Sequence, residues 1–109
     1  PPASTGGTSA EPPSRGGRLL RAVAAPNPVR GPVLTLRFYL DGDSRWVALA
    51  LYTRSMVMVA HQNYVPASGF QQGWNGVNLT LPADLNPGMY FGSIENSVGH
   101  LPFKVIRLR

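Results

Sequence analysis

Period-two alternation of apolar and polar residues dominates the chain. Over 33–40, VLTLRFYL, Leu34, Leu36, Phe38 and Leu40 fall on one face and Thr35, Arg37 and Tyr39 on the other, the pattern of a half-buried strand. Over 45–52, RWVALALY, Val47, Leu49 and Leu51 point one way and Trp46, Ala48, Ala50 and Tyr52 the other. The small alanines predict a close neighbour or a thin cover on that second face. Residues 56–60, MVMVA, predict a strand hairpinned to the one before it through a short connection at 53–55. The apolar run at 19–25 ends in Pro26-Asn27-Pro28, which a central strand cannot contain, so it predicts an edge strand and a rigid extended turn. The polar stretch 62–69, with Pro66 and Gly69, predicts a loop, and 70–74 a short strand. Residues 89–96 predict the sixth strand, Gly99 its turn, and 101–108 the last. In that last strand Phe103 and Val105 share a face with Arg107, and Lys104, Ile106 and Leu108 share the other.

Between the fifth and sixth strands the stretch 73–91, GWNGVNLTLPADLNPGMYF, carries two turn signals, Asn75-Gly76 and Pro87-Gly88. Gly reaches positive φ without steric cost and Asn does so at low cost, so both pairs predict tight reversals. Trp74, Asn75, Gly76, Gly88 and Tyr90 are the expected fold-holding corner, with Trp74 packed over the sandwich edge. No segment shows helical periodicity over ten or more residues. Seven short strands at spacings of about ten residues predict an all-β fold, an immunoglobulin-like or fibronectin-III-like antiparallel β-sandwich.

Composition sets the domain limits. The chain has 109 residues, enough for one domain. Residues 1–18, rich in Pro, Gly and Ser with no large apolar side chain before the run at 19, predict a flexible linker, leaving 19–109 for the sandwich. The first residue is Pro and no charged-then-apolar leader is present, which is expected of a processed product or a fragment. No apolar run approaches membrane-spanning length. There is no cysteine, so an ordinary core must carry stability. The net charge is +5 and nine of the ten basic residues are Arg. They are dispersed along the chain except in the C-terminal KVIRLR, and no nucleic-acid reader motif accompanies them. An anionic surface polysaccharide is a possible partner of such charge, and nucleic acid is not an expected one.

The candidates for chemistry are few. Asp41-Gly42-Asp43 reads as a turn, since calcium needs six or more ligands and no third carboxylate is near. His61 and His100 have no carboxylate or thiol at zinc-ligand spacing. No Ser or Thr sits in a nucleophile-elbow context, and the five acidic residues are scattered. The chain therefore reads as non-catalytic, with no cofactor and no metal. Trp46, Tyr39, Tyr52 and Trp74 would form a sugar platform if exposed and coplanar, and packing on the second sheet or at the edge is the simpler reading. Asn78-Leu79-Thr80 matches the N-glycosylation triplet, whose physical consequence is surface exposure.

The order of motifs resembles a known family. The chain runs through Pro26-Asn27-Pro28-Val29-Arg30, then Leu36-Arg37-Phe38, the Val47–Tyr52 strand and Val59-Ala60. It continues through Ala67-x-Gly69, Trp74-Asn75-Gly76 and Pro87-Gly88-Met89-Tyr90-Phe91 to Lys104-x-Ile106-x-Leu108. This is similar to the C-terminal Ig-like domain of type IX secretion sorting domains (type A) and to the Ig-like module of flagellar hook-capping proteins. The family's Gly after the third strand falls near Met56, so a wider connection is expected there, and its Trp-Asp-Gly is Trp74-Asn75-Gly76. The resemblance implies a C-terminal sorting or cell-surface attachment domain of an exported bacterial protein, recognised by secretion machinery. Its alternative is an assembly module retained against a larger subunit. Lys104, Arg107 and Arg109 are the expected partner-recognition residues, presented on an open strand edge. A carbohydrate-binding module using Trp46 and Trp74 is a further alternative.

Overall fold

The structure, a computed structural model, describes residues 17–108; the predicted linker lies outside them apart from Gly17 and Arg18, as does Arg109. The strands are β1 (Leu19–Ala25), β2 (Val33–Leu40), β3 (Val47–Tyr52), β4 (Met58–Tyr64), β5 (Gly73–Thr80), β6 (Gly88–Glu95) and β7 (His100–Arg107). They form two antiparallel sheets, ordered β1-β2-β5 and β4-β3-β6-β7. The all-β sandwich expected from the alternation is therefore the fold. The fourth strand joins the sheet of the third, whereas a constant-type immunoglobulin domain adds it to the other sheet.

Alternation places the core. Leu34, Leu36, Phe38 and Leu40 of β2, Val47, Leu49 and Leu51 of β3, and Ile94 of β6 are fully buried and belong to one cluster. The Phe38 and Phe70 rings meet edge to face at 5.4 Å. Burying one such aliphatic side chain is worth roughly 1.5–3 kcal/mol, so the two β2 and β3 stripes carry most of the cohesion. Ala48 and Ala50, on the outward face of β3, are nearly buried as well. Ala48 lies between Asn63 and Glu95 and Ala50 between His61 and Ser93 of the flanking strands.

Three expected boundaries move. The predicted Asn75-Gly76 reversal is absent: both residues lie inside β5, paired with Phe38 and Arg37. Turn propensity there yields to the alternation Val77-x-Leu79-x-Leu81, three side chains that reach the core. The chain instead reverses upstream, through Gly69 at φ 67° and Gly73 at φ 109°. Asn75 serves that turn from within the strand, its Nδ2 donating to the carbonyls of Gln71 at 2.8 Å and Gly73 at 3.2 Å. The short strand expected at 70–74 is displaced along the chain: Phe70 makes only a bridge to Ser44, and Gly73 and Trp74 open the longer β5. β4 continues through the polar residues 61–64, where a loop was expected, because Val47 pairs with Tyr64 and His61 and Asn63 face solvent. The Tyr64 hydroxyl donates to the Asn78 carbonyl of the other sheet, and burial pushes this phenol above the ordinary tyrosine range.

Met56 corrects another expectation. It adopts φ 66°, the left-handed conformation that normally falls to Gly. The connection is tight, not wide: Met56 N donates to the Thr53 carbonyl at 2.9 Å, and Thr53 Oγ1 accepts from Ser55 N and Val57 N. Thr53 supplies side-chain acceptance that steadies a turn with no glycine in it.

The connection between β5 and β6 is held by Tyr90. This ring is buried in β6 and its hydroxyl donates to the Asn86 carbonyl at 2.6 Å. It is the tyrosine corner of immunoglobulin-like sandwiches, a phenol near the start of the sixth strand bonding backbone a few residues upstream. Gly88, at φ 146°, turns the chain into β6 beside it.

At the opposite pole the chain entry is latched. Asp41 accepts from the Arg18 backbone N–H and from Arg18 Nε at 3.1 Å. Buried Asn96 donates to the Gly17 carbonyl at 2.7 Å while its Oδ1 accepts from Val98 N and Gly99 N. The Arg18 backbone hydrogen bond, with the guanidinium behind it, holds the Asp41 carboxyl below the usual carboxylate range.

Tyr90→Phe is expected to lower stability by about 1 kcal/mol with an unchanged slope in urea unfolding, since it removes one partner of a mostly buried hydrogen bond. Met56→Gly is expected to raise stability by about 0.5–1 kcal/mol in the same assay, the relief of left-handed strain exceeding the added chain entropy. The Asp41 latch is present above the carboxylate's unfolded pKa and is lost as pH falls through its lower folded value. Amide exchange at Arg18 should accelerate in that acid window, and Asp41→Asn should remove the pH step.

Candidate functional site

The last strand, β7, is the edge of the four-stranded sheet, and the expected recognition residues lie on or beyond it. The structure does not bring them together. Lys104 is exposed on the outer face, between Phe103 and Val105, whose side chains enter the core. Arg107 falls on the inward parity, half-buried, and its guanidinium donates to the Gly31 carbonyl. Arg109 lies outside the described residues. Strand alternation alone separates Lys104 from Arg107.

The edge itself is occupied, which corrects the expectation of unpaired backbone groups. After β1 the chain passes Pro26 and Pro28, each preceded by a cis peptide bond, and crosses to the other sheet. Asn27 lies along β7 there: its Nδ2 donates to the Lys104 carbonyl at 3.1 Å and its Oδ1 accepts from Ile106 N at 3.0 Å. Val29, fully buried, follows as a parallel bridge to Arg107. Val29 N donates to the Ile106 carbonyl at 2.8 Å and Leu108 N to the Val29 carbonyl at 2.9 Å. The outward backbone groups of Ile106 and Leu108 are thus already bonded. Pro102, on the same even parity, has no N–H to offer. A partner strand finds no template between Lys104 and Leu108.

The aromatic candidates also part company. Trp46 is half-buried, and it lines a shallow cleft of about 380 Å³ with Ala48, His61, Asn63, Val65 and Glu95 on the outer face of the four-stranded sheet. Trp74, expected to pack over the edge, is instead 47% exposed on the outer face of the three-stranded sheet. Its position in β5 is of outward parity, opposite Tyr39. The two rings meet edge to face at 5.4 Å and 77°, and the Arg37 guanidinium carbon lies 5.2 Å from the Trp74 ring centroid. Trp46 and Trp74 therefore stand on opposite faces and cannot form one platform.

The polar candidates serve the fold. Asp41 is engaged by Arg18, and Asp43 Oδ1 accepts from Gln72 N at 3.0 Å. His61 and His100 are exposed on different strands. Among the described residues no three His, Cys, Asp or Glu side chains lie together in a metal-holding group. No helix among the described residues is long and apolar enough to cross a membrane. Sequence reasoning missed Asn27 as the edge clamp, because a carboxamide between two prolines reads locally as turn chemistry. Its partners are 77 and 79 residues away.

Comparison with protein-family models gave no match, and comparison with curated proteins gave none. Among solved structures, the CopC protein of Methylosinus trichosporium OB3b is similar in fold, with a TM-score of 0.52 at 18% identity over 84% of this chain and 90% of that one. At that identity the similarity is one of β-sandwich architecture.

Proposed function

We propose that the chain is a non-catalytic β-sandwich module of an exported bacterial protein, acting as a C-terminal sorting or surface-attachment domain of the type IX kind. The observation that carries this reading is the Asn27 clamp. The Pro26-Asn27-Pro28 and Lys104-x-Ile106-x-Leu108 motifs, the two ends of the family resemblance, meet there in one hydrogen-bonded unit. The left-handed Met56 at the family's glycine position supports it too. Recognition then rests on side chains and not on strand addition, and Lys104 is the exposed cation on the outer face of β7.

A second reading, a retained assembly module, is favoured by the occupied edge, since a module that packs by its faces has no need of an open strand.

The test is to fuse the whole chain behind a secreted fluorescent reporter in a host with type IX secretion. Reporter on the cell surface, with the domain trimmed off, is the expected outcome. Lys104→Glu should reduce that surface label without moving the thermal midpoint. Surface label independent of the domain would overturn the proposal, and a domain that stays on the delivered product would replace it with the assembly module.

A further inference from the structure

We propose that the outer face of the β1-β2-β5 sheet binds an acidic glycan, a polysaccharide bearing carboxylates, with Trp74, Arg37 and Arg21 as contact residues and Gly76 as the floor. This face is the opposite side of the molecule from Lys104, so its test and that of the sorting reading are independent.

Register assembles the face. Arg21, Tyr39 and Trp74 form one row across the three strands, and Val23, Arg37 and Gly76 form the next. The third row is Ala25, Thr35 and Asn78. Leu20, Arg21, Tyr39 and Trp74 line an open cleft of about 380 Å³. The outward positions of these rows hold two guanidinium groups and no carboxylate. Among the described residues neither Arg21 nor Arg37 is in an ion pair, whereas Arg18 is. Arg37 is braced against Trp74, so its planar fork is pre-oriented toward a carboxylate.

Gly76 supplies the independent observation. A glycine inside a strand costs roughly 0.5–1 kcal/mol and often marks where a ligand approaches the backbone. No need of the fold explains this one. Its backbone is ordinary strand, and an added Cβ would make only van der Waals contacts, at 3.9 Å to the Leu36 carbonyl and Thr35 Cγ2. The missing side chain leaves a dip beside Arg37 and between Trp74 and Asn78. Those two residues lie four apart on one strand face, about 13 Å, which matches a short run of sugar rings. An aromatic stands at one end and cations lie between; at the other end the Thr35 hydroxyl donates to Asn78 Oδ1 at 2.8 Å, which fixes the carboxamide and leaves its Nδ2 as the donor toward a sugar hydroxyl. This order fits alternating apolar faces, hydroxyls and carboxylates. Two arginines are too sparse for a phosphate backbone, which is held by many cations. A peptide that adds to a sheet needs an edge, not a face.

The probe is polygalacturonate, against its fully methyl-esterified form, a single-stranded oligonucleotide and poly-glutamate, titrated calorimetrically with the whole chain. Binding of polygalacturonate is expected, with the esterified polymer, the oligonucleotide and poly-glutamate about tenfold weaker or more. Trp74→Ala, Arg37→Gln and Gly76→Val should each weaken it by about tenfold or more. The thermal midpoint should hold for the first two and hold or rise for Gly76→Val, which adds a strand-favouring side chain in open space. Absence of polygalacturonate binding, equal binding of the esterified polymer, or tighter binding of either other polyanion would overturn the proposal. So would a Gly76→Val protein that binds as well as the parent.

Discussion

The carboxamide of Asn27 is the interaction on which closure of the β7 edge depends, across a core that β2 and β3 hold together. One sheet ends at β1 and the other at β7, and a sandwich needs the two edges joined or covered. Asn27 gives β7 one acceptor and one donor in strand-like spacing, and Val29 continues the pairing with main-chain bonds. The side chain acts as a substitute residue of backbone. It seals the last strand while the prolines on either side keep the crossing segment from joining any sheet regularly. Val29, on the same crossing, is fully buried and joins the core cluster.

Much of this was legible in the chain, and the limits have physical causes. The strands at 33–40 and 45–52 announce themselves because both faces matter to them, and period-two alternation is a non-local requirement written locally. Asn75-Gly76 misleads for the converse reason. A turn preference is small compared with the burial of Val77, Leu79 and Leu81, which holds the chain extended. The polar end of β4 does not look like strand in the sequence because an edge strand with one solvated face can be polar, as His61 and Asn63 are. The Tyr90 bond and the Asn27 clamp join residues through specific atoms. Residue type allows such bonds but does not announce their partners.

The candidate surface residues show the same rule. Grouping Lys104 with Arg107 by nearness along the chain ignores alternation, which sends one outward and ties the other to Gly31. Grouping Trp46 with Trp74 by chemistry ignores topology, which gives them to different sheets. Trp74, Tyr39 and Arg37 become neighbours only through the antiparallel register of β2 and β5. An arginine stacked on an exposed indole is thus a product of pairing, unseen in either strand alone.

The crossing at Val29 also has a mechanical side. The chain enters at the Gly17 pole and leaves at the Leu108 pole. Val29 runs parallel to Arg107, so tension applied between those two ends pulls the paired segments past each other. The bonds from Asn27 and Val29 to β7 are then loaded together in shear, where an antiparallel hairpin would open one bond at a time. A domain closed in this way resists being drawn out from its ends more than its modest size suggests, and it yields by losing the whole clamp at once.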